Sequence, residues 1–491
     1  MSRLRISILV FLLGTAAPAA GQKLQPAAGS LVPHDTNQVF LRVSNRGGYG
    51  LAIQAPDVGN FPRGTPNRYL FGSGLWIGGI GDVEANGQPD TLTSIGYNPS
   101  EVTEIEWIEG ALGFSRDDPR FRVLDSTEPA DEGLFPGEPV AGQELFAVYG
   151  DRFSVVTGQR ISIPLGIEVR QRSFAFDEPD LDSAVIFQWD LLNISDRIRT
   201  SGYTIREMWT GLALDPDLGE TSDDTAAPLE IDGQTTLLIW DADFQEPQFS
   251  GAPGFLAIVP LVDSGRINVT QMTSGNPPDV LRVPQTDAGQ YAALAALPAA
   301  PPTIVEPGFD LRALVAWGAV DLPQGVVHRT AAAFVWAEPS GTPPALLSPL
   351  DPGLDQDLPL LAGLVEAVRA VRAAYRERLA GLPALLDFPG EPPPVGGGEG
   401  SGALRQNFPN PFRDATTIGF EVEAGGDVEI VVYDLQGREV ERLVEGFREP
   451  GEYTVEWNGL SAVGEEVAAG IYVVRMSTSA GASTIRVLKV P

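Results

Sequence analysis

Asp215-Pro-Asp-Leu-Gly-Glu-Thr-Ser-Asp-Asp224 is the sharpest local feature of the first four-fifths of the chain. Aspartates at alternating positions beside a glycine turn can aim several carboxylate oxygens at one centre. Calcium takes about six to eight hard oxygen ligands, and loops of this composition supply them. Asp215, Asp217, Asp223 and Asp224 are therefore candidate calcium ligands, with backbone carbonyls completing the shell. Asp241 and Asp243 follow the next apolar run and join the set if the two runs are neighbouring strands. The pattern is not an EF-hand, because the twelfth-position glutamate and the flanking helices are missing. The plain alternative is a solvated acidic turn, for which Pro216 and Gly219 are ordinary residues.

Other chemistries find few parts. There is no cysteine, so thiolate metal sites, disulfides and a cysteine nucleophile are excluded. The two histidines are His34 and His328, and no His-Glu-x-x-His occurs, which leaves a histidine-based zinc site without ligands. Gly72-Ser-Gly-Leu-Trp-Ile-Gly-Gly-Ile80 lacks the Gly-Lys-Ser/Thr ending of a phosphate loop, and Ser73 is not in a nucleophile elbow. A pair of carboxylates acting on a glycosidic bond stays open, since acids are plentiful and a glycosidase needs only two at the right separation. Trp76, Trp107, Trp189, Trp209, Trp240, Trp317 and Trp336 are potential sugar-stacking side chains. Most lie inside apolar runs, which favours core packing.

The elements that must position these groups read as strands. Gln38–Val43, Tyr69–Gly78, Thr91–Tyr97, Ile161–Phe174, Ala184–Asn193, Tyr203–Leu214, Thr235–Trp240, Phe255–Val262, Leu311–Val320 and Ala331–Ala337 are rich in Val, Ile, Phe, Trp and Thr, and Gly, Pro and Asp punctuate them. The fold class expected is mainly β: a sandwich-rich body, one amphipathic helix, a Pro/Gly linker and a C-terminal Ig-like β-sandwich. The helix is expected over about 358–380, where Leu361, Leu364, Val365, Val368 and Val371 recur at three- and four-residue steps, with Asp357 as cap. A weaker helix starts near Thr286 or Asp287.

Acids outnumber bases 65 to 33, for a net charge of −32, which argues against a nucleic-acid backbone or an anionic membrane surface as main partner. Residues 1–21 read as a signal peptide: Arg3 and Arg5, an apolar stretch from Ile6 to Leu13, then small residues. That stretch is too short to cross ~30 Å of hydrocarbon, and no later segment is an integral membrane span. The body then covers 22–388. The Pro/Gly-rich residues 389–403 form a linker, and 404–491 form an end module.

In the end module, Ile418, Phe420 and Val422 alternate, as do Val428, Ile430 and Val432, giving six or seven short strands. Gln406-Asn-Phe-Pro-Asn-Pro-Phe412 with Thr416-Thr-Ile418 resembles the opening of the C-terminal sorting domain of type IX secretion cargo. Val432-Tyr-Asp-Leu-Gln-Gly-Arg-Glu-Val440, Gly451-Glu-Tyr453, Trp457-Asn-Gly459, Val467-Ala-Ala-Gly-Ile-Tyr472 and Lys489 match the rest in order. The motif residues are Asn407, Pro409, Asn410, Pro411, Phe412, Tyr433, Asp434, Gly437, Arg438, Trp457, Gly470, Tyr472 and Lys489. The module is also similar to the Ig-like domain of the flagellar hook-capping protein. The body resembles those of uncharacterised cargo of the same pathway.

The resemblance implies passage through the periplasm of a Gram-negative bacterium, then export to the medium or cell surface by the type IX secretion machinery. The function expected is a secreted or cell-surface structural, adhesive or ligand-binding protein, with extracellular glycan or surface components as partners. The alternatives are a polysaccharide hydrolase using paired carboxylates and a calcium-dependent carbohydrate-binding protein.

Overall fold

The computed structural model describes residues 31–51, 58–83, 87–100, 105–110, 121–131, 134–135, 138–152, 156–157, 160–161, 163–198, 202–262, 265–273, 282–296, 310–351, 353–384, 404, 407, 412–413, 415–422, 425–433, 438–462, 464–468, 470–478 and 481–490. The expected signal peptide and linker lie outside these residues.

Among the described residues, the body holds two nine-stranded antiparallel sheets. The first runs in the order Leu31–His34, Phe40–Ser44, Gly48–Tyr49, Leu70–Gly81, Ile205–Pro216, Leu311–Leu322, Arg266–Thr273, with Gly59–Asn60 and Asp90–Ile95 as side branches. The second runs Asp224–Ile231, Gln234–Asp241, Phe255–Pro260, Val327–Ala337, Ala184–Asn193, Ile167–Ala175, Gln143–Gly150, Ile108–Glu109, with Leu124–Asp125 beside Gln143–Gly150. The main core lies between them. Leu75, Ile77, Leu212 and Val315 of the first sheet meet Val185, Phe187, Trp189, Ile258 and Phe334 of the second.

Ala184–Asn193 shows why strict alternation fails in this body. Val185, Phe187 and Leu191 face the main core, while Ala184 and Ile186 face a second core on the outer side of the sheet. A strand covered on both faces becomes a near-continuous apolar run. The outer cover is the helix Ala362–Ala374, whose Leu364, Val365, Val368 and Val371 pack with Ile186, Leu238, Trp240 and Val335. Pro359–Leu361 leads in as a 3-10 turn and Tyr375–Leu379 leads out as a π turn. Asp357 does not cap this helix: the cap positions Leu358 and Leu361 make no side-chain cap bond, and proline fills the first turn instead.

The outer face of the first sheet is covered by the helix Asp287–Ala295, capped by Thr286, whose side chain accepts from the Gly289 N–H. Tyr291 and Leu294 sit against Trp76, Trp209 and Leu314. Gly211 permits this approach, because a Cβ there would stand 2.7 Å from Leu294. The body is thus four layers: helix, sheet, sheet, helix.

The end module has its own core. Glu439–Arg448, Gly426–Tyr433, Gly470–Thr478 and Gly481–Lys489 form one sheet, in that order, and Thr416–Val422 pairs with Gly451–Trp457. Ile418, Phe420, Val428, Ile430, Val432, Val474 and Val487 are buried between them.

Candidate functional site

The acidic run lies where the chain crosses from one sheet to the other. Ile205–Pro216, a central strand of the first sheet, carries Asp215; Asp224 opens the edge strand of the second sheet. Asp232-Gly233 then turns the chain back, and the hairpin register sets Asp224 opposite Asp241. Both residues of the turn have left-handed φ, 53° and 76°, the requirement of a two-residue type I′ hairpin. Two carboxylates distant in sequence are thereby fixed at one rim of the sandwich.

The four predicted ligands divide among three environments. Asp215 is buried and pairs with Arg312 at 2.7 Å, and it accepts the Tyr97 hydroxyl at 2.8 Å. Burial pushes its carboxyl up to about 7, against the opposing pull of Arg312. Asp217 pairs with Arg68, and burial raises its carboxyl as well. Asp224 accepts the Leu218 N–H at 3.2 Å and closes the crossover loop on itself. Burial holds its carboxyl well above the ordinary range.

Asp223 alone of the four joins a carboxylate group. One oxygen each of Asp223, Asp241 and Glu246 lie within 4.8 Å of one another. Asp241 Oδ1 is fixed by the backbone amides of Asp243 (3.0 Å) and Phe244. Glu246 Oε1 accepts the Glu220 N–H at 2.8 Å, and Oε2 accepts Gln248 Nε2 at 3.0 Å. Gly219, with φ +99°, lies where a Cβ would overlap the Glu246 carboxyl. Burial pushes both Asp241 and Glu246 upward, and neighbouring Asp223 adds to each. Asp243 stays beside the group, its Oδ1 accepting the Gln245 N–H at 2.9 Å. Glu246 carried no sequence signal as a ligand, being separated from Asp241 by an irregular turn. The Asp232-Gly233 hairpin signal was the cue that would have paired Asp224 with Asp241.

All eight tryptophans are buried, so none offers an exposed face for stacking on sugar. His34 is buried against Ser173 Oγ at 2.7 Å, and burial pushes its imidazole down to about 3. Both side chains are fully buried, so the pair lines no cleft.

In the end module, several motif residues gather around one aromatic cluster. The Phe412 and Trp457 rings are 5.2 Å apart and those of Trp457 and Tyr472 are 5.1 Å apart. Phe412 is fastened by backbone bonds to Leu488 and Val490, each 2.9 Å. Asn407 Nδ2 donates to Thr416 Oγ1 at 2.7 Å, and the Tyr472 hydroxyl donates to the Ala468 carbonyl at 2.7 Å. Lys489 is buried except for its path to Glu466, which it meets at 2.8 Å. Its stem passes beneath Gly459, where φ is +68° and a Cβ would stand 2.6 Å from Lys489 Cε. Gly470 opens a strand opposite Lys489, and Tyr433 sits on the neighbouring strand. Arg438 is exposed ahead of the next strand. Pro409, Asn410, Pro411, Asp434 and Gly437 lie outside the described residues.

Residues 410–482 match the FlgD Ig-like domain family. No curated protein matches the chain. Among solved structures, a polysaccharide lyase aligns at TM-score 0.25 and 8% identity, over 94% of this chain and 47% of the lyase. Dimeric latent PorU from Porphyromonas gingivalis aligns at TM-score 0.18 and 12% identity, over 71% of this chain and 32% of PorU. The chain thus spans less than half the length of either structure, and overlaps this slight carry no argument about chemistry. The molecule is a mainly β protein that ends in an Ig-like domain.

Proposed function

We propose that this protein is cargo of the type IX secretion machinery, with residues 404–491 as its sorting module and the four-layer body as the exported part. The observation that carries the reading is the end module itself. It holds a separate core, matches an Ig-like family over 410–482, and bears the ordered sorting motifs. Those motifs also build its aromatic cluster, so residues needed for folding and for recognition coincide. The signal-like residues 1–21 and the Pro/Gly-rich 389–403 fit entry to the periplasm and an exposed connection to the module. The body then acts outside the cell as a structural or ligand-binding sandwich, free in the medium or held at the outer surface.

The test compares the intact chain with a chain ending at residue 403, both expressed in a bacterium with a type IX system. The intact protein is expected in the medium or on the surface, and the shortened one in the periplasm. Equal export of both would overturn the proposal.

A further inference from the structure

We infer that Asp223, Asp241 and Glu246 bind one divalent cation of the calcium class at the rim of the body sandwich. The inference concerns the body alone and stands whichever way the chain is exported.

Three features carry it. The first is spacing: the three oxygens lie within 4.8 Å of one another, close enough to surround one ion whose ligands stand at about 2.3–2.6 Å. The second is an unsatisfied atom. Asp241 is 0% exposed, and while its Oδ1 is held by two backbone amides, its Oδ2 is buried with no hydrogen-bond partner. Glu246, another acceptor, lies against the Asp241 carboxylate, and Asp223 Oδ1 is equally buried and unpartnered. The third is charge. The charged neighbours that act most strongly on the group are Asp243 and Glu220, both acidic. Isolated buried carboxylates are costly unless paired or coordinated to a metal. Asp215 and Asp217 meet that need with Arg312 and Arg68; the Asp223 group has no such arginine among the described residues.

The donor set selects the ion. All three ligands are hard oxygens, which suit calcium or magnesium over zinc or copper. Magnesium demands bonds of about 2.0–2.1 Å in a strict octahedron and keeps much of its water. Asp241 and Glu246, each held by backbone amides, are not free to draw in to such short bonds, which favours calcium. Asp223 is half-buried, which leaves a path for the ion and its waters. Coordination would fasten the crossover loop, through Asp223, to the end of the hairpin, through Asp241, and to the following turn, through Glu246.

Calcium titrated by calorimetry into the chelator-treated full-length chain is expected to bind at one site. Melting in calcium is expected several degrees above melting in chelator. Asp241→Asn and Glu246→Gln should each weaken binding at least tenfold. In chelator both should melt no lower than wild type, because each removes a like charge and keeps the shape, so lost binding is not lost folding. Superimposed melts with no binding heat would overturn the inference and leave Asp241 and Glu246 sharing a proton. Variants that bind calcium as wild type does would overturn it too, as would magnesium acting as strongly as calcium.

Discussion

At the scale of single residues, buried polar groups tie the two sheets of the body together. Asp151 follows a strand of the second sheet and accepts four bonds: Ser94 Oγ at 2.6 Å, and the amides of Leu165 (2.7 Å), Gly166 (3.0 Å) and Ile167 (2.6 Å). Ser94 belongs to the first sheet, so one carboxylate joins both. Asp151→Asn turns an acceptor into a donor facing donors, and is expected to cost about 2–4 kcal/mol. A urea midpoint shift checks this. His34 gives a pH signature. Its folded pKa is lowered by burial to about 3, so between that value and the unfolded value near 6.5 the unfolded chain binds a proton that the folded chain refuses. Its contribution is complete above pH ~6.5 and is lost as pH falls, by roughly 2 kcal/mol at pH 5. His34→Gln should remove that slope when the two stability–pH curves are subtracted. Neither role was legible in the sequence: a lone aspartate after an apolar run and a histidine near a strand do not reveal what the other sheet brings to them.

At the scale of elements, the hairpin Asp224–Ile231 and Gln234–Asp241 is clasped by the helix Ala362–Ala374. Arg372 donates to the Ile231 carbonyl at 2.7 Å and to Thr236 Oγ1 at 3.0 Å, and Arg369 pairs with Asp232 at 2.8 Å. The helix was readable because its apolar positions recur on one face, and Arg369 and Arg372 fall off that stripe. Both hold the hairpin at its turn, which periodicity cannot show. The strand Asp224–Ile231 was hidden for a different reason: Pro228 and the flanking acids read as loop, while its place at a sheet edge tolerates proline. Leu364→Ala, at a fully buried helix position, is expected to cost about 2–5 kcal/mol. Gly233→Ala meets open space and should cost only its left-handed backbone, about 1 kcal/mol. Chemical denaturation of both variants would rank them in that order.

At the scale of the whole molecule, the mainly β class and the Ig-like end were legible, for two reasons. Strand-forming residues punctuated by turn formers persist even where both faces of a sheet are covered. The small module, with one buried face per sheet, keeps its alternation. The split into two nine-stranded sheets was not legible, since neighbours such as Ile205–Pro216 and Leu311–Leu322 are separated by about a hundred residues of chain and pairing at that distance leaves no local trace. The same limit applied to the acidic rim, whose members meet only because the crossover and the hairpin end there.

Export through the end module is the claim on which the extracellular reading rests. It is tested most directly by placing residues 1–21 before, and 389–491 after, a folded reporter, in a type IX-competent bacterium and in one lacking that machinery. The account predicts reporter in the medium or on the surface of the first and in the periplasm of the second. Reporter retained in the periplasm of both, or released equally by both, would contradict it.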